Sequence, residues 1–336
     1  MSHFTTLVSL TPPDDFSNCG LYTELCIEET MAPFCESAEE PEYLAFEDKT
    51  DEVTREYTED TVNCFVLPNG KIAPENRRLA HLFAIKDGMV YQRAAGPLKH
   101  DMRTKKAKKM RALPSYPLKK LYKTLDEFVE SCYGYPYYES TQRYGYFYNP
   151  NAVWDWYLIG GRWPFVFLVK VDCPSIVEGE RSWASRDDSC DAPDGYRWVA
   201  GARKKDVEWD LMKVLAIKSE EQRFINCVEA FEKERKSDNP LIVITERGIE
   251  SWGDLLYEKG ETLERFLERN ALAPGCKYPI TAFSFIEDGE YVSQGDMGWF
   301  GYCSNNKPDD EWRQTLQDFI DHIPDENLIV MVDCHI

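Results

Sequence analysis

The chain centres on residues 149–163, NPNAVWDWYLIGGRW, which hold three of the nine tryptophans beside one aspartate and one arginine. Asn149 is a typical helix N-cap, and the proline that follows it loses no helical hydrogen bond. Gly160 suits a helix end, because glycine adopts the left-handed conformation at little cost. We therefore predict a two-turn helix from Pro150 to Gly160. The alternative is a hairpin that turns at Gly160 and Gly161.

The residues that follow, 164–171 (PFVFLVKV), are apolar almost without a break, which predicts the central strand of a sheet. Further strands are predicted at both ends of the chain, over His3–Leu10 and Leu328–Val332. The ending from Ile280 has the predicted order β-β-α-β. We therefore predict an α+β fold: a mixed, mainly antiparallel sheet with helices packed on it, the N- and C-terminal strands in the same sheet, and large insertions.

A single domain with insertions is the predicted organisation of the 336 residues. Its approximate parts are an acidic part with two hairpins (1–98), a basic loop (99–123), the aromatic motif and central strand (124–171), a polar excursion with helices (172–278) and the β-β-α-β ending (279–336). The hairpins should turn at Asn69-Gly70 and at Asp87-Gly88, because these residue pairs accept positive φ.

Helices are predicted where capping residues precede an apolar periodicity. Thr124 with Glu127 three residues later has the capping-box pattern, so a short helix should run to about Cys132. Further helices are predicted over residues 207–236, over residues 251–270, and from a cap at Asp309 or Asp310 to Pro324.

The formal net charge is −20, from 39 basic and 59 acidic residues, and this charge opposes binding to nucleic acid or to an anionic membrane. One segment reverses it: residues 99–123 hold ten lysines and arginines against one aspartate, a local charge of +9 that leaves −29 on the remainder. The cations assigned to nucleic-acid contact are Lys99, Arg103, Lys105, Lys106, Lys108, Lys109 and Arg111. The acidic stretch 14–60 is interpreted as a solvated surface, with an imitation of nucleic-acid phosphates as the alternative.

The eleven cysteines stand singly, without a C-x-x-C pair. This pattern is unlike a disulfide framework or a zinc site, and it suits a reducing compartment. No apolar run approaches the ~20 residues that span a bilayer, and the start lacks the pattern of a signal peptide. We therefore expect a cytoplasmic protein with no membrane attachment, no metal and no cofactor.

Candidate site residues come from two blocks of the sequence. Asp155 and Arg162 could line a pocket walled by tryptophans that binds a flat or charged ligand, and the alternative is a core cluster with a structural salt bridge. Asp333 and His335 supply groups for acid–base chemistry. Strand alternation puts Cys334 on the opposite face, which disfavours it as a nucleophile. The candidate binding residues are Trp154, Asp155, Trp156, Tyr157, Arg162, Trp163, Asp296, Trp299, Asp333 and His335, and no residue is assigned as catalytic.

Blocks spread over the whole chain resemble one protein family. Residues 149–163 are similar to the N-P-x-A-x-W-D-W-Y-x-I-G-G-R-W block of uncharacterised proteins encoded by bacteriophages, prophages and other bacterial mobile elements. The opening His3-Phe4-Thr5 and the ending, GDMGWFG at 295–301 and VDCHI at 332–336, resemble the same family. The resemblance implies a phage or prophage origin and names no reaction. It does not extend to the basic segment or to residues 172–206.

From the resemblance and the acidity, we expect an accessory protein that works by binding a host protein and inhibits a defence or nucleic-acid enzyme. An acidic surface can occupy a basic nucleic-acid channel. The first alternative is an enzyme, a hydrolase or transferase that acts on a nucleotide-like ligand through Asp155, Arg162, Asp296, Asp333 and His335. The second alternative is nucleic-acid binding through the basic segment 99–123.

Overall fold

The computed structural model describes residues 2–12, 19–93, 100–182, 192–233, 241–251, 254–270, 276–298 and 301–336. The chain forms two compact units. The first unit comprises Met1–Tyr43 and Asn149–Ile336, and the second comprises Leu44–Tyr148. The second unit is therefore inserted in the sequence of the first, and a single domain with insertions stays a prediction.

The described residues form short and medium helices joined to many short strands. The helices are α1 (Cys19–Met31), α2 (Thr50–Glu59), α3 (Arg77–Leu82), α4 (Leu118–Leu121), α5 (Leu125–Cys132), α6 (Trp209–Glu232), α7 (Leu263–Arg269) and α8 (Asp309–His322). The strands are β1 (His3–Leu10), β2 (Ala45–Asp48), β3 (Thr61–Val66), β4 (Ile72–Pro74), β5 (Phe83–Lys86), β6 (Met89–Gln92), β7 (Arg111–Pro117), β8 (Tyr137–Tyr138), β9 (Arg143–Tyr148), β10 (Trp156–Gly161), β11 (Phe167–Lys170), β12 (Glu180–Arg181), β13 (Tyr196–Val199), β14 (Gly201–Arg203), β15 (Ile242–Ile244), β16 (Gly248–Ser251), β17 (Asp254–Glu258), β18 (Ser284–Glu287), β19 (Glu290–Ser293), β20 (Asp296–Met297), β21 (Cys303–Ser304) and β22 (Leu328–His335).

The first unit is built on a seven-stranded sheet with the order β12-β10-β22-β1-β18-β19, in which β14 also pairs with β22. Strand β22 is buried at every residue, which explains its near-continuous apolar run. It pairs antiparallel with β1, from His3 opposite His335 to Leu10 opposite Leu328, while β1 pairs parallel with β18. The α+β class, the mainly antiparallel sheet and the pairing of the terminal strands are confirmed.

Alternation along β22 divides the core of the first unit into two layers. Val330 and Val332 belong to one cluster, which α1 covers with Ile27. Ile329 and Met331 belong to the other, which contains apolar side chains of α6 and α8. Each fully buried large apolar side chain contributes roughly 1.5–3 kcal/mol, so these two layers are the main force that holds β22 in the centre of the sheet.

The second unit consists of two three-stranded sheets, β4-β3-β7 and β2-β9-β8, with the hairpin β5–β6 and short helices. The two predicted hairpins are confirmed, with φ of +83° at Gly70 and +50° at Asp87. The predicted cap of α5 is confirmed as well, because Thr124 Oγ accepts a hydrogen bond from Glu127 N at 3.1 Å.

The predicted helix from Pro150 to Gly160 is wrong. Residues Trp156–Gly161 form β10, which pairs antiparallel with β22. Asn149 does not cap a helix: its Nδ2 donates to two backbone carbonyl oxygens of the chain around Pro33. A two-turn helix leaves most of its backbone groups unpaired, whereas β10 gains a ladder of hydrogen bonds along a buried strand. The tertiary partner therefore overrides the local capping pattern.

The predicted central strand is also placed wrongly. Of residues 164–171, only Phe167–Lys170 are a strand, and β11 pairs with β13 in a separate two-stranded sheet. Its apolar side chains are buried in the layer that contains α6 and α8, so the apolar run reflects burial and does not indicate a central place. The central strand of the main sheet is β22.

The helix predictions are partly confirmed. α6 lies within the predicted range 207–236, and α8 runs through the predicted apolar positions. The N-cap of α8 is Pro308 and not an aspartate. The predicted helix over 251–270 is wrong in its first half, where β17 pairs with β16, and α7 begins only at Leu263.

Candidate functional site

Three rings meet at one end of the main sheet in the first unit. His3 on β1 and Trp156 on β10 are both register partners of His335 on the intervening strand β22. The ring centroids of His3 and His335 are 4.8 Å apart, and the indole of Trp156 stacks on His335 at 4.7 Å with an angle of 16° between the planes. Strand register therefore brings two imidazoles and one indole together from three separate parts of the chain.

His335 is paired with Asp155. Its Nδ1 lies 2.6 Å from Asp155 Oδ1, and the backbone N of Asp155 donates to the backbone O of His335 at 3.0 Å. The imidazole is buried, whereas the side chain of Asp155 is 41% exposed. The backbone bond fixes the carboxylate beside the ring, so the pair is held by the sheet and does not depend on a flexible loop.

His3 is paired with Asp333 in the same way, but this aspartate is more deeply buried than Asp155. His3 Nδ1 lies 2.8 Å from Asp333 Oδ1, and the side chain of Asp333 is 0% exposed. The second carboxylate oxygen accepts from the backbone N of Arg162 at 2.9 Å. A buried carboxylate is costly unless both oxygens are satisfied, and here each has a donor.

The turn after β10 makes room for Asp333. Gly161 has φ of +53°, and a Cβ at this position would lie 2.4 Å from Asp333 Oδ2. Any other residue would therefore clash with the carboxylate, and its left-handed backbone conformation would also be unfavourable. The Gly-Gly pair in the aromatic motif thus positions the Arg162 amide on Asp333.

Both histidines use Nδ1 to bind a carboxylate, and this fixes what Nε2 can do. An ionised carboxylate only accepts hydrogen bonds, so Nδ1 carries the proton in each pair. Nε2 is then the nitrogen left to take up or give a proton, or to bind a ligand. The same orientation by a carboxylate occurs in catalytic and in metal-binding histidines.

Five of the predicted site residues belong to this cluster: Asp155, Trp156, Arg162, Asp333 and His335. His3 was missed as a site residue, although it lies in the opening block of the family resemblance. The predicted antiparallel pairing of the two terminal strands would have identified it. A histidine stands at the start of the first strand and another at the end of the last, so antiparallel pairing places them opposite each other. The Nε of Arg162 is buried and has no hydrogen-bond partner among the described residues.

The remaining predicted residues lie elsewhere. Trp154 is in the core, where its ring contacts Phe4 and Phe34. Tyr157 points to the opposite face of the sheet, and burial, reinforced by the charge of Glu28, raises its pKa to about 12. Trp163 is half-buried, and its backbone N closes a turn by donating a hydrogen bond to Gly160 O. Asp296 lies on an exposed hairpin, where its carboxylate accepts a hydrogen bond from Asn305 Nδ2. Trp299 lies outside the described residues.

Cys334 lies on the face opposite the histidine cluster, as strand alternation predicts. It packs in the apolar layer with Val330 and Val332. Burial raises the pKa of its thiol, and only a hydrogen bond with Thr6 opposes this effect. A thiol held neutral in a core does not act as a nucleophile.

A cavity of about 630 Å³ in the first unit lies at the other end of β1, where Ser9 and Thr11 line it together with His322 and Asn327. It is therefore separate from the histidine cluster. No group of three His, Cys, Asp or Glu side chains is arranged to hold a metal ion in the described part of the chain. Across the same residues, no helix is long and apolar enough to cross a membrane.

Comparison of the chain with models of protein families, with curated proteins and with solved structures found no match. The resemblance to phage and prophage proteins therefore stays a prediction, and the geometry of the histidine cluster carries the functional argument.

Proposed function

We propose that the first unit is an acid–base enzyme, a hydrolase or transferase, whose centre is the histidine cluster. The observation that carries this proposal is the adjacency of two imidazoles, each bound through Nδ1 to its own carboxylate, with ring centroids 4.8 Å apart. Orienting carboxylates of this kind are typical of histidines that transfer protons.

Two neighbouring histidines supply the two proton transfers that a displacement reaction needs. The neutral imidazole takes the proton of a water or hydroxyl nucleophile as that oxygen attacks the substrate. The protonated imidazole gives its proton to the leaving oxygen when its bond breaks. After one turnover the two imidazoles have exchanged protonation states, and proton exchange with water restores them.

We propose a nucleotide-like phosphoester as the substrate class. Trp156 stacks on His335 and also contacts the His3 ring, and it remains 40% exposed, so its exposed part suits contact with a flat ring such as a nucleobase. The neighbouring Arg162 has a buried Nε without a partner among the described residues, and a guanidinium binds phosphate oxygens well.

The proposal is tested by incubating the full chain with a panel of nucleoside monophosphates, dinucleotides and cyclic phosphodiesters, with turnover followed by ³¹P NMR. His3→Asn and His335→Asn should each lower kcat about 100-fold or more, and each should remove one limb of a bell-shaped pH profile of kcat/KM. His322→Asn, an exposed histidine of α8, is the matched control and should keep the rate. Folded protein that turns over no member of the panel would refute the proposal, as would variants of His3 and His335 with unchanged kcat.

The binding role implied by the family resemblance is a second proposal: a phage- or prophage-encoded protein that inhibits a host enzyme in the bacterial cytoplasm. Its support is the net charge of −20, which favours contact with a basic nucleic-acid channel. A pull-down from host lysate at moderate salt should recover a basic nucleic-acid enzyme. Recovery of no partner above background would remove this support.

A further inference from the structure

The second unit carries a group of exposed lysines around one turn. Lys105, Lys106, Lys108 and Lys109 surround one 3₁₀ turn, Ala107–Lys109, and all four side chains are exposed. No described carboxylate lies within salt-bridge distance of any of them. Lys86 of the same unit, by contrast, forms a salt bridge with Asp101.

The turn that presents these lysines is fixed by its own contacts. Ala107 and Met110 are buried in an apolar cluster with Phe65 and Phe83, which anchors the turn from beneath. Thr104 Oγ accepts from the backbone N of Ala107 at 3.2 Å. Cations on a rigid turn lose less entropy when they bind an anion, so this surface is preorganised for one.

An apolar groove adjoins the lysines. A cavity of about 550 Å³ is lined by Leu67, Pro68, Leu79, Leu82, Phe83 and Met110, together with Asn69, Asn76, Arg78 and Lys106. Lys106 belongs to both features, since its Nζ lies 5.5 Å above the centre of the Phe83 ring. Leu82 remains 47% exposed. The groove therefore joins apolar walls to cations at its mouth, within the size range of small-ligand sites.

Two amides on the groove keep donors available for a ligand. Asn69 Oδ1 accepts from Lys71 N at 3.1 Å, and Asn76 Oδ1 accepts from Leu79 N at 3.1 Å. Because the oxygens are bound to backbone N–H groups, the amide orientation is fixed and Nδ2 is the free end. Such donors match the carbonyl and ring-nitrogen acceptors on the edge of a nucleobase.

We propose that this surface of the second unit binds single-stranded nucleic acid, with the phosphates on the lysine turn and one unstacked base in the groove. A ligand that uses both features combines an anionic group with a flat, largely apolar ring, and a nucleotide has this form. A duplex does not fit the groove, because its bases are stacked inside the helix. An acidic peptide without aromatic residues would use the lysines but has no ring for the apolar walls.

The test is fluorescence anisotropy of a labelled 12-nucleotide single strand titrated with the full chain over 25–200 mM NaCl. Lys106→Gln should weaken binding several-fold and reduce the magnitude of the salt slope by about 0.7, because one phosphate contact is lost. Lys218→Gln, which removes one exposed charge from the first unit, is the matched control and should change neither quantity. Leu82→Ser should weaken binding about fivefold without changing the salt slope, because it removes apolar contact only.

Thermal melts should first establish that all three variants fold. Absence of binding at 25 mM NaCl would overturn the proposal, and so would a Lys106→Gln variant that behaves like Lys218→Gln. If polyglutamate displaces the labelled strand at a lower concentration than the unlabelled strand does, the lysines bind an acidic protein instead. An unchanged affinity in Leu82→Ser would show that no base binds in the groove. These outcomes do not depend on the histidine cluster.

Discussion

The carboxylate of Asp333 is fully buried, and its two oxygens are held by donors from different elements, His3 and the Arg162 amide. An aspartate in this position loses its hydration completely, so its two hydrogen bonds offset part of the cost of burying the carboxyl group. The geometry of Gly161 is what allows the second bond. One glycine is therefore a positioning residue for the buried half of the site.

Gly161→Ala should destabilise the protein by about 3 kcal/mol and lower the proposed activity of the histidine cluster, because the new methyl displaces Asp333 while the backbone is strained. The measurement is urea unfolding followed by tryptophan fluorescence. Gly289→Ala is the control: φ there is +82°, but a Cβ would meet nothing within 4 Å. It should cost only about 1 kcal/mol of strain, and equal losses in the two variants would contradict the steric argument.

At this scale, part of the site could be predicted from the sequence. Asp155, Asp333 and His335 stand in unusual blocks, and residue chemistry was enough to select them. Their pairing could not be predicted, because it depends on the register of β22 with its two neighbours. The three tryptophans of the motif were expected to share one pocket, but the chain bends at Asp155, before β10 begins, and this bend separates Trp154 in the core from Trp156 at the cluster.

Among the elements, β10 shows how a local pattern is overridden. Its flanking Asn149-Pro150 and Gly160 satisfy the rules for a helix start and stop, yet the segment is extended because the buried strand β22 offers it a ladder of hydrogen bonds. The elements predicted correctly, such as the β3–β4 hairpin and α5, have start and stop residues that act within a few positions. Local chemistry predicts such elements, whereas a strand chosen by a distant partner requires the fold.

The cap of α5 offers a test at the scale of one element. Thr124→Ala removes the hydroxyl that accepts a hydrogen bond from Glu127 N and should destabilise the second unit by about 1 kcal/mol. Thr58→Ala in α2 is the control, because Thr58 Oγ donates back to carbonyls of its own helix and caps no N–H group. Urea unfolding of both variants should show a loss for Thr124→Ala alone, and no loss there would show that the cap is not needed.

In the whole molecule, tyrosines in both units are held in their neutral form. The pKa of Tyr144 is raised to about 12 by burial and by its hydrogen bond with Asp126, and the pKa of Tyr157 is raised to about 12 mainly by burial. In the unfolded chain, tyrosine ionises near pH 10. Folding therefore excludes two phenolates that the unfolded chain readily forms in alkali.

The contribution of these two tyrosines to the stability should consequently be fully present below pH 10 and should fall as pH rises from about 10 towards 12. The sign follows from linkage: a raised pKa means that the folded state keeps a proton that the unfolded state releases. Tyr157→Phe and Tyr144→Phe should each flatten this fall in urea unfolding experiments between pH 9 and pH 11. Tyr302→Phe, at an 82% exposed position, should leave the slope unchanged, and equal slopes in all three variants would contradict the assignment.

The pairing of β1 with β22 also determines when the site can exist during biosynthesis. The bond between His3 and Asp333 joins residues 330 positions apart, so the ribosome must synthesise almost the whole chain before β1 can pair with β22. Pairings of such long range form late, because loop closure is slow relative to local structure. The contacts of the second unit join residues that are closer in sequence, so this unit can fold before β1 has paired with β22. In refolding from urea, the proposed activity of the histidine cluster should therefore return only with the slowest phase, after the proposed nucleic-acid binding by the second unit has recovered.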